Sequence, residues 1–185
     1  MMKRLLDILL ALAALLLLSP LMLGVMLAVF LSDRGPVFFR QVRVGLGGAP
    51  FGMYKFRSMV VDAERRGGYA TAMGDPRITR VGRFIRRTSL DELPQLFNVL
   101  KGDMSVVGPR PDVPAQQALY TPSQWQQRCS VRPGITGLAQ ATSRSAATQE
   151  ERTALDLRYA RDAGIGLDIK IIAMTVRQVL TKGGN

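Results

Sequence analysis

The chain has 185 residues, with 25 Lys and Arg against 14 Asp and Glu, a formal net charge of +11, no His and one Cys. Without histidine, Ser-His-Asp catalysis, Cys-His catalysis and His-ligated metal sites are excluded. A single Cys closes no internal disulfide, so any metal site must rely mainly on oxygen ligands, which favours Mg²⁺, Mn²⁺ or Ca²⁺. The sequence contains no G-x-x-x-x-G-K-[ST] loop, which excludes an ordinary P-loop NTPase.

The N-terminal part is a hydrophobic run. Ile8 to Leu31 contains 24 residues and no charge, whereas a helix needs roughly 20 apolar residues to cross a bilayer. A cleaved signal peptide fits less well, because the run is too long and no small-residue cleavage site follows it. Basic residues flank both ends, as is typical of cytoplasmic segments. Ser19-Pro20 lies near the middle, where the proline removes a backbone hydrogen bond and the serine hydroxyl can satisfy the freed carbonyl. These features favour a re-entrant helix, with a straight span as the alternative.

The region after the run is basic. Residues 32–88 carry 12 Lys and Arg but 4 Asp and Glu, a balance that attracts anionic headgroups or phosphorylated substrates. Within it, residues 37–44 and 51–57 alternate around a glycine-rich segment and predict a β-hairpin. An arginine at every third position then predicts a short amphipathic helix with a basic stripe. The stripe consists of Arg77, Arg80, Arg83 and Arg86.

An acidic pair, Asp91 and Glu92, follows this stripe. Ser89-x-x-Glu92 matches a capping box, and the apolar spacing beyond it predicts a helix that ends near Gly102. The pair would then lie in the first helical turn, where the unpaired N–H groups favour negative charge. An aspartate held ionised there can act as a nucleophile or a Mg²⁺ ligand. Acidic residues in a first turn are also ordinary partners of the helix dipole, so both interpretations stay open on this pattern alone.

Two arginines lie in stiff loops. Arg110 stands between two prolines, and Arg132 precedes a Pro-Gly turn. Each proline fixes its own φ and restricts the residue before it, so both arginines are preorganised cations suited to phosphate. Further along, residues 149–161 predict a helix, and Asp168 is predicted to cap a last, broadly apolar one.

Three segments together resemble a known family. Residues 89–111 read SLDELPQLFNVLKGDMSVVGPRP, residues 54–59 read YKFRSM, and residues 131–140 read VRPGITGLAQ. With these motifs the chain resembles the bacterial sugar transferases, the small monotopic phosphoglycosyl transferases, from Lys3-Arg4-x-x-Asp7 to the last helix. It shows none of the extra N-terminal membrane helices of the longer members, and so resembles their minimal catalytic form.

The resemblance implies transfer of a phosphosugar from a UDP-sugar to a polyprenyl phosphate, usually undecaprenyl phosphate, with release of UMP. Asp91 is implied to attack the sugar-bearing phosphate and form a covalent phosphosugar-enzyme, while Glu92 helps to hold Mg²⁺. The family's helix is re-entrant and broken at a Ser-Pro pair, which matches Ser19-Pro20. The implied location is the cytoplasmic face of the bacterial inner membrane, in contact with membrane lipids.

The resemblance also directs attention to cations that would neutralise the diphosphate. The candidates are Arg86, Arg110 and Arg132, followed by Arg144 and Lys55. Asp156 matches an acidic position of the family, and its role is open. Sugar contacts are expected within residues 64–80 and 112–128. The identity of the sugar, the glycoconjugate pathway and the presence of a homo-oligomer are not determined.

Taken together, the elements predict an α+β, mainly α fold. A re-entrant membrane helix with a Ser-Pro break is expected over residues 1–33. A catalytic domain with a small β-hairpin and amphipathic interfacial helices is expected over residues 34–185.

Two other functions compete with this interpretation. In a membrane scaffold, the acidic pair would serve only as a capping box. In a basic peripheral binder of nucleic acid or anionic lipid, binding would depend strongly on salt and no turnover would occur. A nucleic-acid partner is not expected, because aromatic residues make up 6% of the chain and no recognition motif is present.

Overall fold

The structure is a computed structural model that describes residues 2–63, 65–67, 74–143 and 148–182. The hydrophobic run forms one long helix, α1 (Met2–Asp33), rich in leucine and alanine, which have high helix propensity. The helix continues through Ser19 and Pro20, so a break at this pair is not confirmed. Pro20 has no N–H to donate to the Leu16 carbonyl, and the Ser19 hydroxyl donates to that carbonyl at 2.9 Å. The expected compensation by serine is therefore present.

The two faces of α1 differ. Among the described residues, α1 is the one helix that is long and apolar enough to cross a membrane. One face packs onto the rest of the chain, and the other exposes large apolar side chains. Those with at least half of their surface exposed include Leu5, Leu9, Leu16, Leu17, Leu23, Leu27 and Leu31.

The predicted β-hairpin is confirmed. Strands β1 (Phe38–Val44) and β2 (Pro50–Phe56) pair antiparallel along their whole length. The connection includes Gly47 and Gly48, whose φ angles are 65° and 81°. Glycine adopts such left-handed conformations without steric penalty, so these residues allow the chain to reverse.

The predicted basic helix is confirmed as α2 (Arg80–Arg87), which Thr79 caps by accepting a hydrogen bond from the Gly82 N–H at 2.8 Å. Arg77 is not part of it. This arginine lies before the cap and forms an ion pair with Asp75 at 2.6 Å. The basic stripe on the helix is therefore one residue shorter than the spacing predicted.

The predicted capping box is wrong. Ser89 is left-handed, with a φ of 58°, and its side chain makes no cap hydrogen bond. Leu90–Glu92 forms a 3₁₀ turn, and the next helix, α3, covers only Gln95–Lys101. Pro94 explains the split, because it lacks the N–H that a continuous helix would need at that position. The predicted end at Gly102 is confirmed by its φ of 92°. The acidic pair thus lies in a tight turn before α3.

A short parallel ladder that the sequence analysis did not predict lies at the centre of the domain. It joins β3 (Ser105–Val107) to β4 (Gly134–Thr136). A Cβ on Gly108 would lie 2.2 Å from the Arg132 carbonyl oxygen, so this close approach requires glycine. The ladder places the loop that carries Arg110 directly beside the VRPGITGLAQ segment.

The C-terminal part is helical. Its helices are α4 (Pro122–Arg128), α5 (Leu138–Ser143), α6 (Gln149–Asp162) and α7 (Ile165–Lys182). The prediction for α6 is confirmed, whereas the predicted cap of the last helix is wrong. Asp168 lies inside the first turn of α7, and it is buried with an ion pair to Lys3 at 2.5 Å. Its charge pairs with the N-terminal end of α1 and does not cap a helix.

Three small hydrophobic clusters make up the core, and α1 contributes to two of them. Its first half places Ala11 against Val99 and Met53, and its second half places Val29 against Phe56 and Ile85. The third cluster lies between β3 and helices α5 to α7. Residues on both sides of the predicted boundary at residues 33 and 34 therefore share one core.

The N-terminal end of α1 is also fastened by polar contacts. Asp7 accepts hydrogen bonds of 2.9 Å from the Ser105 hydroxyl and from the next backbone N–H. Lys3 donates to Asp168 and to the Val107 carbonyl. These contacts hold α1 against β3, immediately before the Arg110 loop.

Candidate active site

Glu92 accepts hydrogen bonds from two parts of the fold, strand β2 and the loop after β3 that carries Arg110. Lys55 of β2 donates to Glu92 Oε1 at 2.9 Å, and Arg110 Nη2 donates to the same oxygen at 2.6 Å. A second Arg110 nitrogen lies 3.4 Å from Oε2, which gives a bidentate arrangement. Burial alone would raise the pKa of Glu92, but Arg110 and Lys55 outweigh it and hold the pKa well below its ordinary value. Glu92 is therefore ionised.

Asp91 differs from its neighbour. Asp91 is buried, with a relative exposure of 6%, and only burial and the charges of neighbouring groups, with no hydrogen bond among the described residues, act on its carboxylate. Burial raises the pKa of Asp91 to about 6, although the charge of Lys55 opposes this. At neutral pH the carboxylate is mostly ionised and its lone pairs are not committed to a neighbour. Such a group is suited to nucleophilic attack.

The other predicted cations are distributed unevenly. Arg86 lies on α2, and its charge helps to lower the pKa of Asp91, so it belongs to the same site. Arg132 lies just before β4, and its side chain reaches the end of α3, where its Nε donates to the Gly102 carbonyl at 2.9 Å. No contact between Arg132 and the acidic pair is found in the described parts of the chain. Arg144 lies outside the described residues.

Two further arginines support Arg110, and the sequence analysis did not single them out. Arg43 of β1 donates to the Pro111 carbonyl at 2.9 Å. Burial and then the charge of Arg110 lower the pKa of Arg43 to about 10. Arg128 at the end of α4 donates to the backbone carbonyl of Arg110 at 2.5 Å. No local pattern marks either residue, because both reach Arg110 from distant elements of the sequence.

Arg128 also bridges two carboxylates. Its guanidinium lies 2.9 Å from Asp112 Oδ2 and 3.0 Å from Asp156 Oδ2. Asp156 on α6 has a relative exposure of 1%, and burial raises its pKa to about 6 against the pull of Arg128. Its other oxygen, Oδ1, has no hydrogen-bond partner among the described residues. The acidic position whose role was open is therefore part of a buried ion cluster.

A cavity of about 760 Å³ joins these groups. Ser89 and Glu92, on either side of Asp91 in sequence, contribute to its lining together with Arg110. Ala14 and Leu18 of α1 form part of an apolar wall. Helices α5 to α7 contribute polar groups, among them Gln140, Arg152 and Asp156. The cavity is thus apolar on the α1 side and polar on the side of the last three helices.

The acidic pair offers two carboxylates, of which Glu92 already bonds Lys55 and Arg110. Among the described residues, no group of three or more acidic, His or Cys side chains forms a metal-binding cluster. Asp91 has an uncommitted carboxylate, and Glu92 is ionised beside it. Mg²⁺ is commonly held by one or two carboxylates plus substrate phosphates. Asp91 and Glu92 would be the protein ligands.

Comparison with known proteins agrees with the motifs. Residues 1–182 match the bacterial sugar transferase family. The chain belongs to this family. It is 46% identical over 183 residues to the "UDP-glucose:undecaprenyl-phosphate glucose-1-phosphate transferase" of Escherichia coli K12, across 95% of this chain and 39% of that protein.

Other relatives in the family carry different names. The chain is 45% identical over 182 residues to the "Uncharacterized sugar transferase EpsL" of Bacillus subtilis, across 98% of this chain and 89% of that protein. It is 43% identical over 190 residues to an Aeromonas hydrophila protein, across 98% of this chain and 44% of that one. The Aeromonas protein is named for N-acetylgalactosamine phosphate transfer to undecaprenyl phosphate. The chain thus spans less than half of the E. coli and Aeromonas relatives, and their names differ in the sugar.

Proposed function

We propose that this protein transfers a phosphosugar from a UDP-sugar to undecaprenyl phosphate or a similar polyprenyl phosphate, releasing UMP. The observation that carries the proposal is the buried, unbonded carboxylate of Asp91 beside Glu92, Lys55 and Arg110, next to a cavity large enough for a nucleotide sugar. The names of the relatives supply the substrate class. They name both glucose and N-acetylgalactosamine, so the proposal leaves the sugar open.

In the proposed first step, a carboxylate oxygen of Asp91 attacks the phosphorus that bears the sugar. The bond from this phosphorus to the bridging oxygen breaks, and UMP leaves with that oxygen. In the second step, a phosphate oxygen of the polyprenyl phosphate attacks the same phosphorus and releases the Asp91 carboxylate. Two steps suit two substrates of different polarity, one soluble and one in the membrane.

The charges around Asp91 support these steps. An anionic nucleophile meets an anionic diphosphate, so cations must offset the repulsion. Arg110 is half exposed and holds Glu92 by a planar fork that also fits phosphate. Lys55 and Arg86 are the other cations whose charges act on Asp91. A bound Mg²⁺ would neutralise further charge on the phosphate oxygens.

We further propose that α1 is re-entrant and keeps the site at the cytoplasmic face of the inner membrane. Ala11 and Val29 both pack on the same domain, and 18 helical residues extend over about 27 Å. A helix perpendicular to the bilayer would draw that domain into the hydrocarbon. Single cysteines introduced at Met2 and Ser32 can be labelled with a thiol reagent added from one side of the membrane. The native Cys129 does not interfere, because it is buried. Labelling of both positions from one side supports re-entry, and labelling from opposite sides contradicts it.

The reaction itself is tested with purified protein in lipid, Mg²⁺ and undecaprenyl phosphate, against a panel of UDP-sugars. We expect UMP release with at least one donor, loss of release on chelation, and no release by Asp91→Asn. Mass spectrometry of the protein quenched without acceptor should show one phosphosugar on the peptide that contains Asp91. If Asp91→Asn releases UMP as fast as the wild type, the covalent mechanism is wrong. If no donor releases UMP, a binding or scaffolding role is favoured.

A further inference from the structure

Two side chains that line the cavity carry buried polar atoms without a hydrogen-bond partner among the described residues. Both atoms of the Gln140 amide, Oε1 and Nε2, are buried without a hydrogen bond among the described residues, and so is Asp156 Oδ1. Gln140 lies on α5 and Asp156 on α6, two helices that pack against each other, and both side chains line the cavity. A buried polar group without a partner destabilises a fold, because it has lost its hydrogen bonds to water without replacement. Such groups are therefore rare and usually have a function.

The chemistry of these atoms indicates their ligand. The Gln140 amide offers two donors and an acceptor, and the free oxygen of Asp156 offers an acceptor. Together they match a neighbouring pair of hydroxyl groups, each of which donates and accepts. They do not match a phosphate, which needs donors only. Arg110 and Glu92 line the same cavity, so Gln140 and the phosphate-binding arginine face one common space.

We propose that Gln140 and the free oxygen of Asp156 bind hydroxyl groups of the nucleotide sugar and so help to select the donor. This inference rests on the proposed function. The hydroxyls belong either to the transferred sugar or to the ribose, and the two sources share this chemistry. Arg128 donates hydrogen bonds to the other oxygen of Asp156 and to the backbone carbonyl of Arg110. It therefore fixes Asp156, which would bind a hydroxyl, relative to Arg110, which would bind the phosphate.

The test uses Gln140→Met, which keeps the length of the side chain and removes its polar atoms. Because the amide has no partner in the part of the chain that the structure describes, this change should leave the melting temperature unchanged or raise it. Loss of one substrate hydrogen bond should lower kcat/KM for the UDP-sugar by about tenfold. Gln126→Met, at an exposed position of α4, is the matched control and should change neither quantity.

A second variant replaces the free carboxylate oxygen of Asp156, a hydrogen-bond acceptor, with a donor. In Asp156→Asn, the amide oxygen can keep the bond to Arg128 and the NH₂ then faces the cavity, so an acceptor becomes a donor. We expect kcat/KM for the donor to fall, because a hydrogen bond to a charged carboxylate oxygen is replaced by a weaker one from a neutral amide. Unchanged donor kinetics in both variants would overturn the inference. So would a melting temperature of Gln140→Met well below that of the wild type, because the amide would then be bonded within the fold.

The two half-reactions distinguish the sources of the hydroxyls. In a two-step mechanism, kcat/KM for the polyprenyl phosphate reports a step in which the sugar remains on the enzyme and UMP has left. If Gln140 binds the transferred sugar, its variant lowers kcat/KM for both substrates. If it binds the ribose, only the donor value falls, and a 2′-deoxy-UDP-sugar is used equally well by variant and wild type.

Failure of the proposed function has a separate signature. If the wild type and Asp91→Asn release UMP at the same rate, the covalent mechanism fails. Binding of UDP-sugar, measured as a ligand-induced rise in melting temperature, then still tests Gln140. A rise equal in Gln140→Met and the wild type contradicts the inference, and a smaller rise in the variant supports it.

Discussion

Two carboxylates that line one cavity each pair with an arginine, and the two arginines differ in exposure. At the acidic turn, Glu92 pairs with Arg110, whose side chain is 45% exposed. At α6, Asp156 pairs with Arg128, whose side chain is 5% exposed. An exposed arginine can exchange a carboxylate for a phosphate at small cost, whereas a buried one would leave an unpaired charge. The first pair is thus suited to turnover, and the second to holding the site in shape.

The largest effect on stability is expected at the buried pair. Arg128→Met leaves Asp112 and Asp156 without their shared cation, which should lower the free energy of unfolding by about 3–5 kcal/mol. Chemical denaturation in detergent measures this. The matched control is Arg158→Met on α6, the helix that carries Asp156, where the exposed pair with Asp162 at 3.8 Å should contribute under about 1 kcal/mol. Equal losses in both variants would show that Arg128 is no structural bridge.

At the exposed pair of Glu92 and Arg110, we expect a large loss of activity with little loss of stability. Arg110→Met should change the free energy of unfolding by under about 1 kcal/mol. It should lower kcat/KM for the UDP-sugar by about 10²–10³, the typical effect of losing one preorganised donor to a developing charge. Arg110→Lys keeps the charge without the planar fork and should fall between Arg110→Met and the wild type. A large loss of stability without a specific loss of turnover would assign Arg110 to the scaffold.

The two buried aspartates provide a third comparison, in which pH is varied. Burial raises the pKa of Asp91 from 3.8 to about 6. Below pH 4 the carboxyl is protonated in the folded and unfolded states, so Asp91→Asn should not change stability there. Between pH 4 and 6 the unfolded state loses its proton first, and the wild type becomes progressively less stable. Above pH 6, Asp91→Asn should therefore be more stable than the wild type by up to about 3 kcal/mol.

Asp156→Asn tests whether the Arg128 ion pair acts in the same way. Burial raises the pKa of Asp156 to about 6 against the pull of Arg128, so by the same linkage Asp156→Asn should gain about as much stability between pH 4 and pH 8 as Asp91→Asn. Melting curves of both variants at pH 4 and pH 8 measure the two gains. A clearly smaller gain in Asp156→Asn would mean that Arg128 stabilises the Asp156 carboxylate more strongly than this pKa implies.

The sequence located the residues of the acidic turn better than it predicted their backbone conformation. The hairpin, α2 and α6 follow from local periodicity, and the motifs identified Asp91, Glu92, Lys55 and Arg110. The capping box failed because Pro94 interrupts the backbone hydrogen bonds that the spacing assumed. The ion pairs of Arg128 were not predictable, because they join elements far apart in sequence. The buried amide of Gln140, which has no partner among the described residues, was not predictable either, because burial depends on how distant elements pack. The β3–β4 ladder was missed for the same reason, since each strand has only three residues.

The smallest expected effect concerns the backbone that presents each aspartate. Asp91 follows Ser89, which is left-handed, whereas Asp156 lies in the regular helix α6. A left-handed conformation costs a non-glycine residue roughly 1–2 kcal/mol, and glycine loses about 0.5–1 kcal/mol in chain entropy on folding. Ser89→Gly should therefore stabilise the fold by up to about 1 kcal/mol, and Ala154→Gly, exposed on α6, should destabilise it by about 1 kcal/mol. Opposite shifts in melting temperature are the expected result. If Ser89→Gly is destabilising as well, the turn before Asp91 is held by the serine side chain and carries no relievable strain.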